Sequence, residues 1–142
     1  MAQEVFVDTG FWIALFHRQD EHHSEAETIW QEIKCGRQLP IVTTNWALYE
    51  TLTWLNCRRN RHDLAIQALD FVSKLSNIVR IEPAQLESRT LEIFRNHPDK
   101  GWSVVDCGNF ASIEQRHTEY ALAYDRNFEQ AQMEFGFRLL KP

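Results

Sequence analysis

The chain has 142 residues and a formal charge of −5, with 44% hydrophobic and 25% charged residues but only 5 Gly and 4 Pro. This excludes a disordered, collagen-like or low-complexity chain, and leaves room for a single domain over residues 1–142 that buries about two-thirds of its unfolded surface. A sequence pI near 5.6 excludes a protein that coats nucleic acid through a basic surface, so any such contact rests on a few local cations.

Val5-Phe6-Val7 reads as a short buried strand ending at Asp8. Gly10 to Phe16 reads as a short helix. A second helix follows Asp20, with Ala26, Ile29, Trp30 and Ile33 at helical spacing and Gly36 as its stop. Pro40 introduces strand two, Ile41-Val42-Thr43. Thr44 or Asn45 then caps a helix bearing Trp46, Leu48, Tyr49, Leu52 and Leu55. Asp63 opens a helix that runs to Leu75. Ile78 to Ile81 reads as strand three, closed by Pro83, and Leu86 to Phe94 as a helix. His97-Pro98-Asp99-Lys100-Gly101 is a loop. Ser103 caps a helix reaching about Arg116. Tyr120 to Tyr124 reads as strand four, ending at Asp125, with a short helix near Phe128 and a fifth strand over Phe137 to Leu140. Strands alternating with helices imply an α/β sandwich around a parallel sheet covered on both faces.

Cys35, Cys57 and Cys107 are odd in number and lack CxxC spacing. They argue against a disulfide framework or a zinc site and fit a cytoplasmic protein. The apolar run Phe11 to Phe16 is too short to span a bilayer, and Glu4 and Asp8 stand where a signal peptide is apolar or basic. Neither a membrane span nor a targeting segment is expected.

The useful crevice of an open parallel sheet lies at the carboxyl ends of its strands. Asp8 and Asp125 follow strands one and four. Glu50 lies early in the helix leaving strand two, within roughly 8 Å of that edge. Asp106, three residues after Ser103, opens the helix that returns to strand four. Four acids distant in sequence thus converge by topology. Such a cluster costs free energy through repulsion and desolvation, which a hard divalent cation removes. Oxygen ligands without His or Cys select Mg2+ or Mn2+. The bland reading of each acid is a turn, cap or solvated helix residue.

The stretches VDTGFWIALF, TTNWALYET, WSVVDCGNFASIEQRH and ALAYDRNFEQA resemble the PIN-domain ribonuclease family. The similarity extends from Val5 to Leu140. The resemblance implies a three-layer α/β/α sandwich with a five-stranded parallel sheet ordered 3-2-1-4-5. It also implies an endoribonuclease that uses Mg2+ or Mn2+, held by Asp8, Glu50, Asp106 and Asp125, and leaves a 5′-phosphate and a 3′-hydroxyl. Small members of this kind are VapC-like toxins of toxin–antitoxin pairs. An RNA substrate, a cognate antitoxin and a homodimer are therefore expected. Thr9 matches the family's hydroxyl beside the first acid. Gly10 stands where Ser or Asn is common, and Asn109 where some members place another polar or acidic group. Thr9 and Asn109 are expected to orient a ligand or water.

Arg126 and Asn127, beside Asp125, are candidate phosphate contacts, with Lys100 a weaker one. Arg58, Arg59 and Arg61 read as a helix C-terminus pointing away from the acids. The six His residues show no mutual ligand spacing, and Cys107, beside Asp106, is a poor nucleophile. Trp46 and Trp54, eight apart on one helix, suit a dimer face, a partner groove or a core. Two rival functions remain: a non-catalytic metal- and RNA-binding module, and a phosphohydrolase with an aspartyl nucleophile. Gly10 counts against the second, because such enzymes carry another Asp two residues after the first.

Overall fold

The computed structural model describes residues 2–79 and 84–141. Five parallel strands form one sheet in the order β3-β2-β1-β4-β5. They are β1 (Ala2–Val7), β2 (Ile41–Thr44), β3 (Ser76–Val79), β4 (Thr118–Leu122) and β5 (Arg138–Leu139). The helices are α1 (Thr9–Phe16), α2 (His23–Gln31), α3 (Asn45–Thr53), α4 (His62–Leu75), α5 (Ala84–Asn96), α6 (Val104–Arg116) and α7 (Arg126–Phe135).

The period of two along each strand divides the core between the two faces. Phe6, Val42 and Ala121 join the cluster built on Ile93, Phe110 and Phe128 of α5, α6 and α7. Val5, Val7, Ile41 and Leu122 join the cluster built on Trp12, Trp30 and Val72 of α1, α2 and α4. The result is the three-layer sandwich expected from the sequence.

Several boundaries move. Helix α2 does not stop at Gly36: it widens into a π-type turn over Glu32–Arg37 and ends where Gln38 turns left-handed, at φ 53°. Helix α3 likewise continues as a π-type turn over Trp54–Arg58. Strand β4 starts and ends two residues earlier than expected. His117 turns left-handed directly after α6, at φ 54°, and Thr118 is then anchored by donating its hydroxyl to Glu4 Oε1, 2.9 Å away. Asp125 therefore stands three residues beyond the strand and caps α7. Strand β3 begins at Ser76, opposite Ile41; Arg80, Ile81 and Pro83 of the expected third strand lie outside the described residues. Among the described residues no helix is long and apolar enough to cross a membrane.

Candidate active site

The end of β1 sets the site. Val7 pairs with Leu122, and the Asp8 amide continues the ladder by donating to the Leu122 carbonyl at 3.0 Å. Asp8 precedes α1, but its side chain makes no capping bond. The carboxylate is 5% exposed. Instead, Asn109 donates from Nδ2 to Asp8 Oδ1 at 3.1 Å. The orientation of Asn109 is itself fixed. Thr44 donates its one hydroxyl hydrogen to Asn109 Oδ1 at 2.7 Å, while its oxygen accepts from the Ala47 amide at 3.0 Å. With Oδ1 so occupied, the amide nitrogen of Asn109 must face Asp8. Thr44 thus caps α3, the helix that carries Glu50, and also sets the group that holds Asp8.

A second asparagine holds Asp106 and Asp125. Asn127 donates from Nδ2 to Asp106 Oδ2 at 3.0 Å and from its backbone to Asp125 Oδ1 at 2.9 Å. Asp106 Oδ2 also accepts from the Ser103 amide at 3.1 Å, completing a capping box with the Ser103 hydroxyl. The cap roles read for Asp106 and Asp125 are therefore real. They account for one oxygen of each carboxylate.

Burial, and then the charge of Asp106, push the Asp8 carboxyl well above its ordinary range. The Thr9 backbone amide opposes this, and the charges of Glu50 and Asp125 add to it. Burial also raises Asp106, opposed by its bonds to Ser103 and Asn127 and reinforced by Asp125. Asp8 therefore senses the other three acids, although Glu50 and Asp125 are exposed. Among the described residues none of the four forms an ion pair with Lys, Arg or His. Nor do any three His, Cys, Asp or Glu among them close into a set that would hold a metal ion. Asn109 ties Asp8 to α6, the helix that carries Asp106, and Asn127 ties Asp106 to α7, the helix that Asp125 caps. The donor chemistry still fits a hard divalent cation: oxygens only, one acid deeply buried, and no compensating side-chain cation among the described residues.

The other candidates fall as follows. Thr9 is buried and donates to the Ala47 carbonyl at 3.3 Å, so it ties α1 to α3 beneath the site. Arg126 is exposed beside Asp125 and has no ion-pair partner among the described residues. Lys100 stands 3.9 Å from Asp99. Burial, then Asp106, pushes the Cys107 thiol up to about 11. Thr44 was legible in the sequence as a cap only. Its bond to Asn109 spans 65 residues, and no local pattern announces it.

A parallel sheet ordered 3-2-1-4-5 with carboxylates at the carboxyl ends of its central strands is the frame of a PIN domain. The chain matches that family over residues 5–133 and belongs to it. It is 34% identical over 140 residues to the 23S rRNA-specific endonuclease VapC20 of Mycobacterium tuberculosis, covering 97% of this chain and 98% of that one. It is 27% identical over 124 residues to a VapC ribonuclease of Archaeoglobus fulgidus, covering 86% of this chain and 77% of that one. The crystal structure of the Mycobacterium tuberculosis VapC20, described as a sarcin-ricin-loop-cleaving toxin, superposes with a TM-score of 0.85 at 32% identity, over 98% of this chain and 100% of that one. VapBC2 of Rickettsia felis, solved on a fragment of its promoter DNA, shares the fold at a TM-score of 0.69 and 11% identity, over 96% of each chain.

Proposed function

We propose that the chain is a metal-dependent endoribonuclease and the toxin of a toxin–antitoxin pair. One observation supports this most: Asp8, buried at the end of the central strand, feels Asp106, Glu50 and Asp125 and has no ion-pair partner among the described residues. A structural carboxylate normally acquires an Arg or Lys, as Glu4 does with Arg116 at 2.8 Å. The near full-length match to an endonuclease named for 23S rRNA makes ribosomal RNA the first substrate to assay.

In this reading Asp8, Asp106 and Asp125 hold Mg2+ or Mn2+, and Glu50 joins them directly or through water. The ion supplies the positive charge that phosphodiester hydrolysis demands. Asn109 and Asn127 each secure one carboxylate, so that its remaining oxygen has a fixed direction. Arg126, exposed beside Asp125, is the residue we assign to a substrate phosphate. A protein partner of the site would present Arg or Lys to the same acids, since a guanidinium or ammonium replaces the charge of the ion. Self-association belongs to the same proposal, and light scattering at micromolar concentration reads it.

The test is incubation of the purified chain with labelled ribosomal RNA. Cleavage in Mg2+ or Mn2+, its loss in EDTA and its return on adding metal are expected. Undiminished cutting in EDTA refutes the metal. RNA bound but never cut in either metal favours a binding module instead.

A further inference from the structure

Asp106 belongs to α6 and Asp125 to the start of α7, so their spacing depends on how the two helices are fastened together. Three side chains of α7 do this. Asn127 donates to Asp106 Oδ2 at 3.0 Å, Gln130 accepts from the Trp102 indole N–H at 3.1 Å, and both oxygens of Glu134 lie 2.9 Å from His97 Nε2. Residues three and four apart share a helix face, so these are three rungs along one face of α7. Their partners all lie on the segment 97–106 that leads into α6. Within it Gly101 turns left-handed, at φ 68°, and the Trp102 indole stacks on the His97 ring with centroids 4.6 Å apart.

The charge of His97 follows from its bonds. Nδ1 lies 2.6 Å from the Ile93 carbonyl oxygen, which can only accept. An ionised carboxylate can only accept as well, so Nε2 must also donate. An imidazole with two N–H donors is the cation, and a cation suits the electron-rich face of an indole. Burial works against the charge, yet the bonds to Ile93 and Glu134 and the charges of Glu134 and Asp99 outweigh it and raise the pKa. Glu134 faces the ring from α7 and Asp99 from its own loop, with Lys100 standing 3.9 Å from Asp99. The Phe135 ring of α7 lies 6.5 Å away, and the Phe110 ring of α6 packs on Trp102.

We propose that His97 is a positioning residue for the acids: as an imidazolium it completes the fastening to α7, and loss of its proton loosens the seating of Asp106 against Asp125. The inference rests on the metal-dependent reading of those acids and adds proton control to it. The lever is short. Trp102 adjoins Ser103, whose amide donates to Asp106 Oδ2 at 3.1 Å. Asp106 Oδ2 thus takes one bond from the segment that His97 anchors and one from α7 itself. A neutral His97 that keeps its N–H on Ile93 turns a lone pair toward Glu134, so that rung opens.

The experiment uses the full chain with the variants His97→Phe and Glu134→Gln. The first keeps a ring on Trp102 and removes both N–H groups. The second keeps an acceptor and removes the charge, at a side chain 46% exposed. Long-range proton–nitrogen NMR spectra in EDTA read the His97 ring, identified by the signal that His97→Phe loses, and the Asn127 side-chain amide. Mn2+ affinity is read across pH by water-proton relaxation. Both His97 nitrogens should carry protons at neutral pH, the titration should move down in Glu134→Gln, and the Asn127 amide should follow it. Below that titration His97→Phe should bind Mn2+ about 3- to 10-fold more weakly than the parent, less than when a group bonded to a ligand is removed. Above it the two affinities should converge, and Glu134→Gln should converge with them at lower pH. A bare ring nitrogen at neutral pH overturns the proposal. A ratio between parent and His97→Phe that is constant across pH makes His97 a structural support only, which overturns the proposal and leaves the metal reading standing. Should His97→Phe fail to fold, Glu134→Gln decides, and a pH dependence of Mn2+ affinity identical to the parent's overturns the proposal. A parent that binds no Mn2+ while its Asn127 amide follows His97 overturns the metal reading and leaves the positioning of Asp106 standing.

Discussion

Thr44 offers a clean perturbation, because one hydroxyl serves two bonds. Thr44→Val keeps the shape and removes both. The Ala47 amide loses its cap, which costs about 1 kcal/mol. Asn109 Oδ1, on a side chain fully buried beside the equally buried Thr44, loses its donor, which costs about 1–3 kcal/mol. The sum of about 2–4 kcal/mol lowers the melting temperature of a chain this size by about 6–12 °C. Thr44→Ser retains the hydroxyl and gives up one methyl, so it should lose about 1 kcal/mol. Far-UV circular dichroism melts of the three proteins, in EDTA, read the difference. Equal stability of Thr44→Val and the parent refutes the two bonds. A Ser variant as weak as the Val variant shows that the methyl group, rather than the hydroxyl, carries the stability. The same variants test orientation of the site. With Asn109 unpinned, Asp8 should need more Mg2+ for half-maximal cleavage in Thr44→Val but not in Thr44→Ser. Equal Mg2+ midpoints would confine Thr44 to a structural role.

Three further outcomes are expected. The raised folded pKa of Asp8 means the native state keeps a proton that the unfolded chain releases, so between the unfolded value of about 3.9 and the folded one, stability falls as pH rises, and it stays lowered above; Asp8→Asn should remove that fall in metal-free melts, and an unchanged pH profile would contradict it. Glu4 is the opposite case, its pKa lowered chiefly by the bond from Arg116: its stabilisation is complete above the unfolded value of about 4.3 and is lost as pH falls through the folded one, so Arg116→Ala, which strands Glu4 but starts from a side chain 35% exposed, should cost about 2–3 kcal/mol, less than a fully buried pair, with a flatter acid limb in urea titrations. Saturating Mg2+ should raise the parent melting temperature, because it binds only the folded site, whereas Asp106→Asn should melt close to the metal-free parent, gain little from Mg2+ and cut no RNA; a full Mg2+ response with cleavage would exclude Asp106 as a ligand.

The edge that holds the acids was legible because it follows from strand polarity, whereas the sheet order 3-2-1-4-5 was implied only by the family resemblance. Hydrophobic runs mark β1, β2 and β4, and a residue just past a parallel strand lies at its carboxyl end wherever the boundary falls. The two-residue offset of β4 therefore left Asp125 at the correct edge while changing its local role to the cap of α7. The π-type turns after α2 and α3 were not legible: Gly36 is a plausible stop, yet the left-handed residues are Gln38 and Asn60. Nor was the relay from Thr44 through Asn109 to Asp8, whose partners meet only after β2 and α6 pack across β1. Asn109 did carry a local signal, lying three residues after Asp106 and hence on the same helix face.

The structural and functional readings of these acids are compatible, and the hydrogen-bond arithmetic shows why. An N-cap needs one carboxylate oxygen. Asp125 gives Oδ1 to the Asn127 amide, and Asp106 gives Oδ2 to Ser103 and Asn127. Asp8 gives Oδ1 to Asn109. In Asp106 and Asp125 the second oxygen receives no hydrogen bond within the described residues, while the first fixes the plane of the group. A carboxylate anchored in this way loses little further freedom when a cation arrives, so more of the binding energy survives as affinity. The caps and the two asparagines thus form a scaffold that is complete without metal. What they leave unbalanced is charge, concentrated on Asp8, which is buried and whose side chain, like that of Glu50, caps no helix. A fold that needed Asp8 only for structure would gain by replacing it with Asn, which accepts the Asn109 bond equally well and carries no charge to bury. On the proposed reading, the acid costs the fold stability and serves the uptake of a cation.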